Sequence, residues 1–327
     1  MKFQLDITID QPQKAIRYTD KILLIGSCFT EHMADRLAQH HFQICSNPNG
    51  ILFNPLSVAD SLNGYLMGKQ YEEHELFYLN ELWNSWDHHT RFSDISAANA
   101  IAKINQEQAY ATEMIHNADW ILITLGSAFQ YYLKEGDKPV ANNHRAPGQW
   151  FEKKLLSIDT IIHALSNTIN IVHEKNPKAQ IVFTISPVRH IRDGVVDNNR
   201  SKARLLEAVH SLCEHFSFAH YFPAYEIVID VLRDYRFYDI DMVHPNYPAT
   251  SFVWECFSNH YFEEKTQVLM KEVLELHTAQ QHRPRFAETE AHQAFCAKYA
   301  AKALQLQKEY PYLDLSTSIA HFNTKGQ

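Results

Sequence analysis

The run Lys21-Ile-Leu-Leu-Ile25, stopped by Gly26-Ser27-Cys28 and followed at once by a helical pattern, constrains this chain more than any other stretch. Four consecutive apolar residues, Ile22 to Ile25, are too few for a buried helix and show no alternation, so they read as a strand covered on both faces. From Phe29 the apolar positions Phe29, Met33, Ala34 and Leu37 recur at helical spacing, with Glu31 early, where the helix dipole favours an acid. Strand, sharp turn and helix thus put Ser27 at a strand tip and a helix start.

The unit repeats. Phe42 to Cys45 is a short strand candidate ending at Ser46-Asn-Pro-Asn-Gly50, and Trp120-Ile-Leu-Ile-Thr-Leu125 ends at Gly126 after a predicted helix over about 95–117. Gln180-Ile-Val-Phe-Thr-Ile185 closes on Ser186-Pro187 behind a helical stretch from about Ser157 to Glu174, and Phe218 to Phe222 makes a fifth, weaker strand. Helices between apolar strands imply right-handed crossovers and a parallel sheet covered on both faces, an α/β/α sandwich. Ligands of such sheets bind beyond the carboxyl ends of the strands, so Gly26-Ser27, Ser46 to Gly50, Gly126-Ser127 and Ser186-Pro187 converge on one rim. The aromatic-rich segment from Asn54 to about Phe92 is too long for a simple connection and is expected to shape the pocket as a lid or binding loop. Beyond about residue 262 a Glu-, Lys-, Gln-, Ala- and Leu-rich tail reads as helices broken at Arg283-Pro284, packed outside the sheet or in an oligomer contact.

Composition narrows the function. The net charge is −8, from 38 acidic and 30 basic residues, and no Lys/Arg run could track a phosphate backbone, so nucleic acid is not an expected partner. The N-terminal stretch is interrupted by Asp6 and Asp10 and lacks the apolar core of a signal peptide, and no run approaches the roughly 20 apolar residues of a spanning helix. The expectation is a cytoplasmic protein with no membrane partner. Five scattered cysteines without CxxC spacing read as free thiols. The 20 histidines include the pairs His40-His41 and His88-His89, but there is no HExxH, so neither metal nor cofactor is expected.

A serine hydroxyl attacks a carbonyl only when a base removes its proton, and the base is usually a histidine held by a carboxylate. Ser27 has the address for a nucleophile, where backbone N–H groups and the helix dipole favour a developing oxyanion; the plain alternative is that it merely caps the helix. Asp241-Met-Val-His244, in a Pro- and Asn-rich loop after the last predicted strand, spaces a carboxylate three residues before an imidazole. Asp241 would orient the ring and leave its other nitrogen for the Ser27 proton. In a chain so rich in histidine the DxxH spacing also arises by chance, and it is the position on the rim that singles it out.

Gly26-Ser-Cys-Phe-Thr30 resembles the signature of the GSCFA family, a branch of the SGNH (GDSL-like) hydrolase superfamily, with Thr30 in place of the final alanine. The likeness continues through Asn47-Pro-Asn-Gly-Ile-Leu-Phe-Asn-Pro55, His88-His-Thr-Arg-Phe92, Thr124-Leu-Gly126, Ile185-Ser-Pro-Val188, Tyr221-Phe-Pro-Ala-Tyr-Glu226 and Asp241-Met-Val-His244, over roughly residues 20–260. It implies a three-layer α/β/α sandwich on a parallel, flavodoxin-like five-stranded sheet, in a domain of residues 1–262 with an inserted region at about 54–95, followed by a helical extension over 263–327. It also implies a Ser27, Asp241, His244 triad acting as an esterase or acyltransferase on a small-molecule or glycan O-acyl substrate, such as an O-acetyl sugar, through a Ser27 acyl-enzyme. The alternative is a catalytically silent binding module on the same fold.

Two departures bear on the site. The Asp of the usual GDS block is missing, which makes Cys28 a rival nucleophile, read here as inert packing. The asparagine that donates to the oxyanion in the superfamily is absent after Gly126, where the chain runs Ser127-Ala128-Phe129. The donors expected in its place are the N–H of Ser27, an N–H near Gly50, and Ser127 or Asn54. His89, beside Trp86, Asp87 and Arg91, is either a pocket residue or a histidine that holds its loop.

Overall fold

The computed structural model describes residues 4–325. Along the chain run β1 (Lys21–Gly26), α1 (Cys28–Gln39), β2 (Gln43–Ser46), α2 (Pro55–Leu66), β3 (Leu76–Leu79), β4 (Leu82–Ser85), α3 (Ala97–Asn117) and β5 (Trp120–Leu125). Next come β6 (Phe129–Leu133), β7 (Lys138–Val140), β8 (Phe151–Leu155), α4 (Ile158–Lys175), β9 (Gln180–Ile185), α5 (Val195–His215) and β10 (Ala219–Tyr221). A single turn α6 (Ala224–Glu226) enters a π-helix over Ile227–Leu232, and α7 (Tyr247–Tyr261), α8 (Glu264–Gln281), α9 (Glu290–Glu309) and α10 (Ser316–Lys325) complete the chain.

The central sheet has five strands in the order β10-β9-β5-β1-β2, every neighbouring pair parallel. Counting only these strands, the order is the flavodoxin-like one, with its switch point between β1 and β5. The apolar strands are buried on both faces because their side chains alternate between two cores. Ile22 and Leu24 of β1 meet Phe29, Met33 and Leu37 of α1 and Val253 and Phe257 of α7. Leu23 and Ile25 meet Val58 and Leu62 of α2, Ile115 of α3, Leu165 of α4 and Leu205 of α5. The sandwich expected from the strand–helix alternation is the one observed.

The tail joins the first of these cores, with Leu269, Met270 and Val273 of α8 and Cys296, Ala303 and Leu306 of α9 in the same cluster as α1. His40 fastens it, its Nδ1 3.1 Å from the Met270 carbonyl and its ring stacked on Trp254. No helix among the described residues is long and apolar enough to cross a membrane.

The segment expected to be a lid from Asn54 onward begins instead as core. Asn54 caps α2 by accepting from the Ser57 N–H at 2.9 Å, Pro55 sits where a helix needs no N–H, and Val58, Leu62 and Tyr65 cover the sheet. Only the part after Leu66 projects, as the β3–β4 hairpin. A second projection was not anticipated: β6, β7 and β8 form an antiparallel sheet between β5 and α4. The two are fastened together by the Ala141 N–H donating to the Trp86 carbonyl at 2.8 Å and by His144 Nε2, 2.7 Å from the Ser85 carbonyl. Trp86 stacks on Phe77 and meets Phe151 edge-on, so an aromatic seam closes the joint.

Candidate active site

Four adjacent strands end along one edge in the order β2, β1, β5, β9, and each is followed by a residue of the rim: Asn47, Ser27, Gly126 and Ser186. Ser27 occupies the N-cap position of α1, yet its hydroxyl makes no cap hydrogen bond. It is 0 % exposed, and its Oγ has no hydrogen-bond partner. The capping role therefore does not account for this side chain, and a buried hydroxyl without a partner carries an uncompensated desolvation cost. Gly26 makes the turn possible: its φ of +143° suits glycine, and a Cβ there would run into the Thr124 carbonyl.

Asp241 and His244 meet in the loop between the π-helix and α7. His244 Nδ1 lies 2.7 Å from Asp241 Oδ2, and the other carboxylate oxygen accepts the N–H of Val243 at 2.9 Å and of His244 at 3.0 Å. The bond to the imidazole, helped by these two amides, holds the Asp241 carboxyl down at about 2. Both side chains are open to solvent, 43 % for His244 and 46 % for Asp241. The imidazole is oriented, but it makes no hydrogen bond to Ser27.

The donors expected for an oxyanion are engaged elsewhere. The Ser27 N–H donates to the Thr124 carbonyl at 3.0 Å and the Gly50 N–H to the Asn47 carbonyl at 2.6 Å. Asn54 is occupied with Ser57 through both ends of its amide. The N–H groups of Gly126 and Ser127 both donate to the Phe53 carbonyl at 2.8 Å, and Ser127 Oγ accepts from the Phe129 N–H while pairing with Ser201. These residues serve as scaffolding because strand-end turns must satisfy their own backbone first. Gly50 has a steric reason instead: with φ +80° it gives way to His89, whose Cβ stands where a residue-50 side chain would begin. His89 in turn accepts from the Arg91 N–H through Nδ1 and donates its N–H to the Asn49 carbonyl, which is the loop-holding role.

Three residues to which the sequence assigned no role stand on this rim. Asn47, 1 % exposed, accepts the Gly26 N–H at 2.8 Å, so its Oδ1 is assigned by chemistry and its Nδ2 is a buried donor with no partner. Lys202 of α5, also 1 % exposed, donates to the carbonyls of Gly126 at 2.7 Å and Ser186 at 2.6 Å, tying the ends of β5 and β9; burial lowers its ammonium to about 7. His190 follows the Ser-Pro turn after β9, and its Nε2 is enclosed without a partner. A Cβ built on Gly126 would stand 3.2 Å from Ser27 Cβ and 3.4 Å from His190 Nε2, so the two residues face one small space that glycine leaves clear. Burial, with Lys202 close by, lowers His190 to about 4. No spacing rule marks His190 or Lys202; only Asn47, in its Asn-Pro-Asn-Gly turn, carried a sequence signal.

Cys28 is half-buried, and burial with Glu31 nearby raises its thiol, which keeps it protonated and a poor nucleophile. Among the described residues no group of three or more His, Cys, Asp or Glu is arranged to hold a metal ion.

A family model described as the GSCFA family matches residues 21–257, and one described as GSCFA domain protein, C-terminal domain, matches residues 273–326. No curated protein matches the chain. Among solved structures, the acetyl xylan esterase Est2A from the rumen bacterium Butyrivibrio proteoclasticus is similar at 11% sequence identity with a TM-score of 0.31. The similarity covers 64% of this chain and 57% of that one, so this chain spans little more than half of that esterase's length.

Proposed function

The chain belongs to the GSCFA family, and on that premise we propose that it is a serine esterase or acyltransferase that works through an acyl group carried on Ser27. His244 Nε2 takes the Ser27 proton as Oγ attacks the carbonyl carbon of an O-acyl substrate, giving a tetrahedral oxyanion. The adduct collapses as the C–O bond to the leaving alcohol breaks, and the imidazolium returns its proton to that oxygen. Water, or the hydroxyl of an acceptor, then repeats the sequence against the acyl-enzyme and restores Ser27. Asp241 fixes the tautomer and steadies the imidazolium throughout.

The observation that carries this reading is the Ser27 hydroxyl, buried at a helix N-terminus and released from capping. The oriented Asp241–His244 pair supports it, as does the link from the Arg189 N–H to the Val243 carbonyl at 3.2 Å, which joins the His244 loop to the segment facing Ser27. Covered as it is, Ser27 needs that neighbourhood to open before substrate enters. A silent binding module draws support from the missing Ser27–His244 hydrogen bond. A fluorophosphonate probe separates the two: stoichiometric labelling lost in Ser27→Ala is expected, and a folded wild type that never labels sinks the enzyme reading.

A further inference from the structure

With the backbone donors of the rim engaged, the reaction above lacks a partner for the negative charge on the substrate oxygen. One unassigned polar atom that faces this need is His190 Nε2, which shares with Ser27 the space left open by Gly126. We infer that this space seats the reacting carbonyl and that His190 donates its Nε2 proton to the carbonyl oxygen as it becomes an oxyanion. The inference rests on the acyl-enzyme reading of Ser27 and adds a catalytic residue to it.

The geometry suits a donor. A carbonyl carbon attacked by Ser27 Oγ carries its oxygen about a bond length further on, into the gap bounded by Gly126, the Phe53 ring and His190. Phe53 meets the imidazole edge-on with ring centroids 5.4 Å apart, fixing the ring's attitude. The segment is fixed as well: the His190 N–H donates to Asn198 Oδ1 at 2.9 Å, and Asp193 pairs with Lys153 of β8. Electrostatics agree, since a ring that refuses a proton down to about pH 4 is neutral and carries one N–H at working pH. The charged and titratable groups around it are Lys202 from α5, Lys153 from β8, Asp193 on its own segment and His244 from the loop before α7. A fixed donor in a water-poor gap gains strength as charge develops, and losing one commonly costs about 100- to 1000-fold in kcat.

The test uses the full chain, p-nitrophenyl acetate turnover and fluorophosphonate labelling. Wild type should label at Ser27, and His190→Leu should lower kcat about 100-fold with a smaller change in KM, since the bond forms mainly in the transition state. His190→Gln places an amide N–H near the same point and should recover turnover to within about tenfold while keeping the rise of rate with pH that a histidine general base imparts, the rising limb of the pH profile. Gly126→Ala, which fills the shared space without a left-handed φ, should silence turnover with the fold intact, and it decides the matter if His190→Leu does not fold. Wild-type labelling together with full activity in His190→Leu or Gly126→Ala overturns the inference and leaves the serine reading standing. Glutamine as inactive as leucine, with the pH limb lost, would make His190 the base and overturn the donor role. Loss of turnover in Asn47→Leu but not in His190→Leu would move the donor to the β2 side and likewise overturn it. If wild type neither labels nor turns over, the underlying reading fails first.

Discussion

The serine side and the histidine side of the rim are built by opposite means. Ser27 sits at the end of a central strand, buried, with Gly26 bonded to Asn47 and Ser27 to Thr124 across neighbouring strands. Asp241 and His244 lie in an exposed loop whose order is local: Met242 takes φ 58°, Asp241 binds the next turn, and Tyr238 bridges to Pro245. One side is placed by the whole sheet, the other by a handful of residues. Mutation of the serine side's scaffold should therefore register as lost stability as well as lost rate, and mutation of the histidine side as lost rate alone.

The sharpest test of that division is His244→Ala. Turnover of p-nitrophenyl acetate should fall about 1000-fold or more while the melting temperature moves by no more than about 2 °C, because an exposed loop histidine contributes little to folding. A large drop in melting temperature would break the comparison. Gly26→Ala is its mirror image. The added Cβ meets the Thr124 carbonyl and φ +143° disfavours any side chain, so urea denaturation should show a loss of about 3 kcal/mol or more.

Acid should act through two enclosed imidazoles, His190 on the serine side and His88 just after the β3–β4 hairpin, where it bonds Ser85. Burial lowers His88 to about 3 and His190 to about 4, below the ordinary value of 6.5. As pH falls from about 6.5 toward 4, the unfolded chain takes up protons that the folded protein refuses, so stability declines with pH across that window and is independent of these groups above it. His88→Gln should flatten the decline by about one proton, read from the dependence of unfolding free energy on pH. The smallest effect is expected at Cys28→Ala, with activity within a few fold of wild type, about 1 kcal/mol lost, and no inactivation of the native protein by iodoacetamide.

The same division explains what the sequence disclosed. Trp120–Leu125 and Gln180–Ile185 were readable to the residue because a strand buried on both faces is almost wholly apolar, and α1 and α4 were readable in outline because each packs one stripe. Ser27 could be read as a position at the tip of such a strand, whereas Asp241 and His244 were read from their spacing in a loop and from the family resemblance. The β6–β7–β8 sheet was not, since Phe129–Leu133 and Phe151–Leu155 are half-buried and Lys138–Val140 is mostly exposed. α2 announced itself through Asn54-Pro55, a cap and first-turn pair, but the aromatic-rich remainder of the segment drew the reading toward a loop. The oxyanion donors were out of reach for a different reason: whether an amide is free depends on which carbonyl lies across from it, and that is fixed only when strands separated by up to a hundred residues are brought together.

The complete burial of Ser27 governs what an acyl group attached there could become. Two fates compete for such an intermediate, breakdown by water and handover to another alcohol, and their ratio follows from the lifetime of the ester between openings. Behind Phe53 and His190 the ester meets few solvent molecules, so its decay waits on the same rare excursion that admits a second reactant. A molecule that both triggers the opening and enters with its own hydroxyl would then arrive ahead of bulk water, and the burial of one side chain would set the partition between hydrolase and transferase.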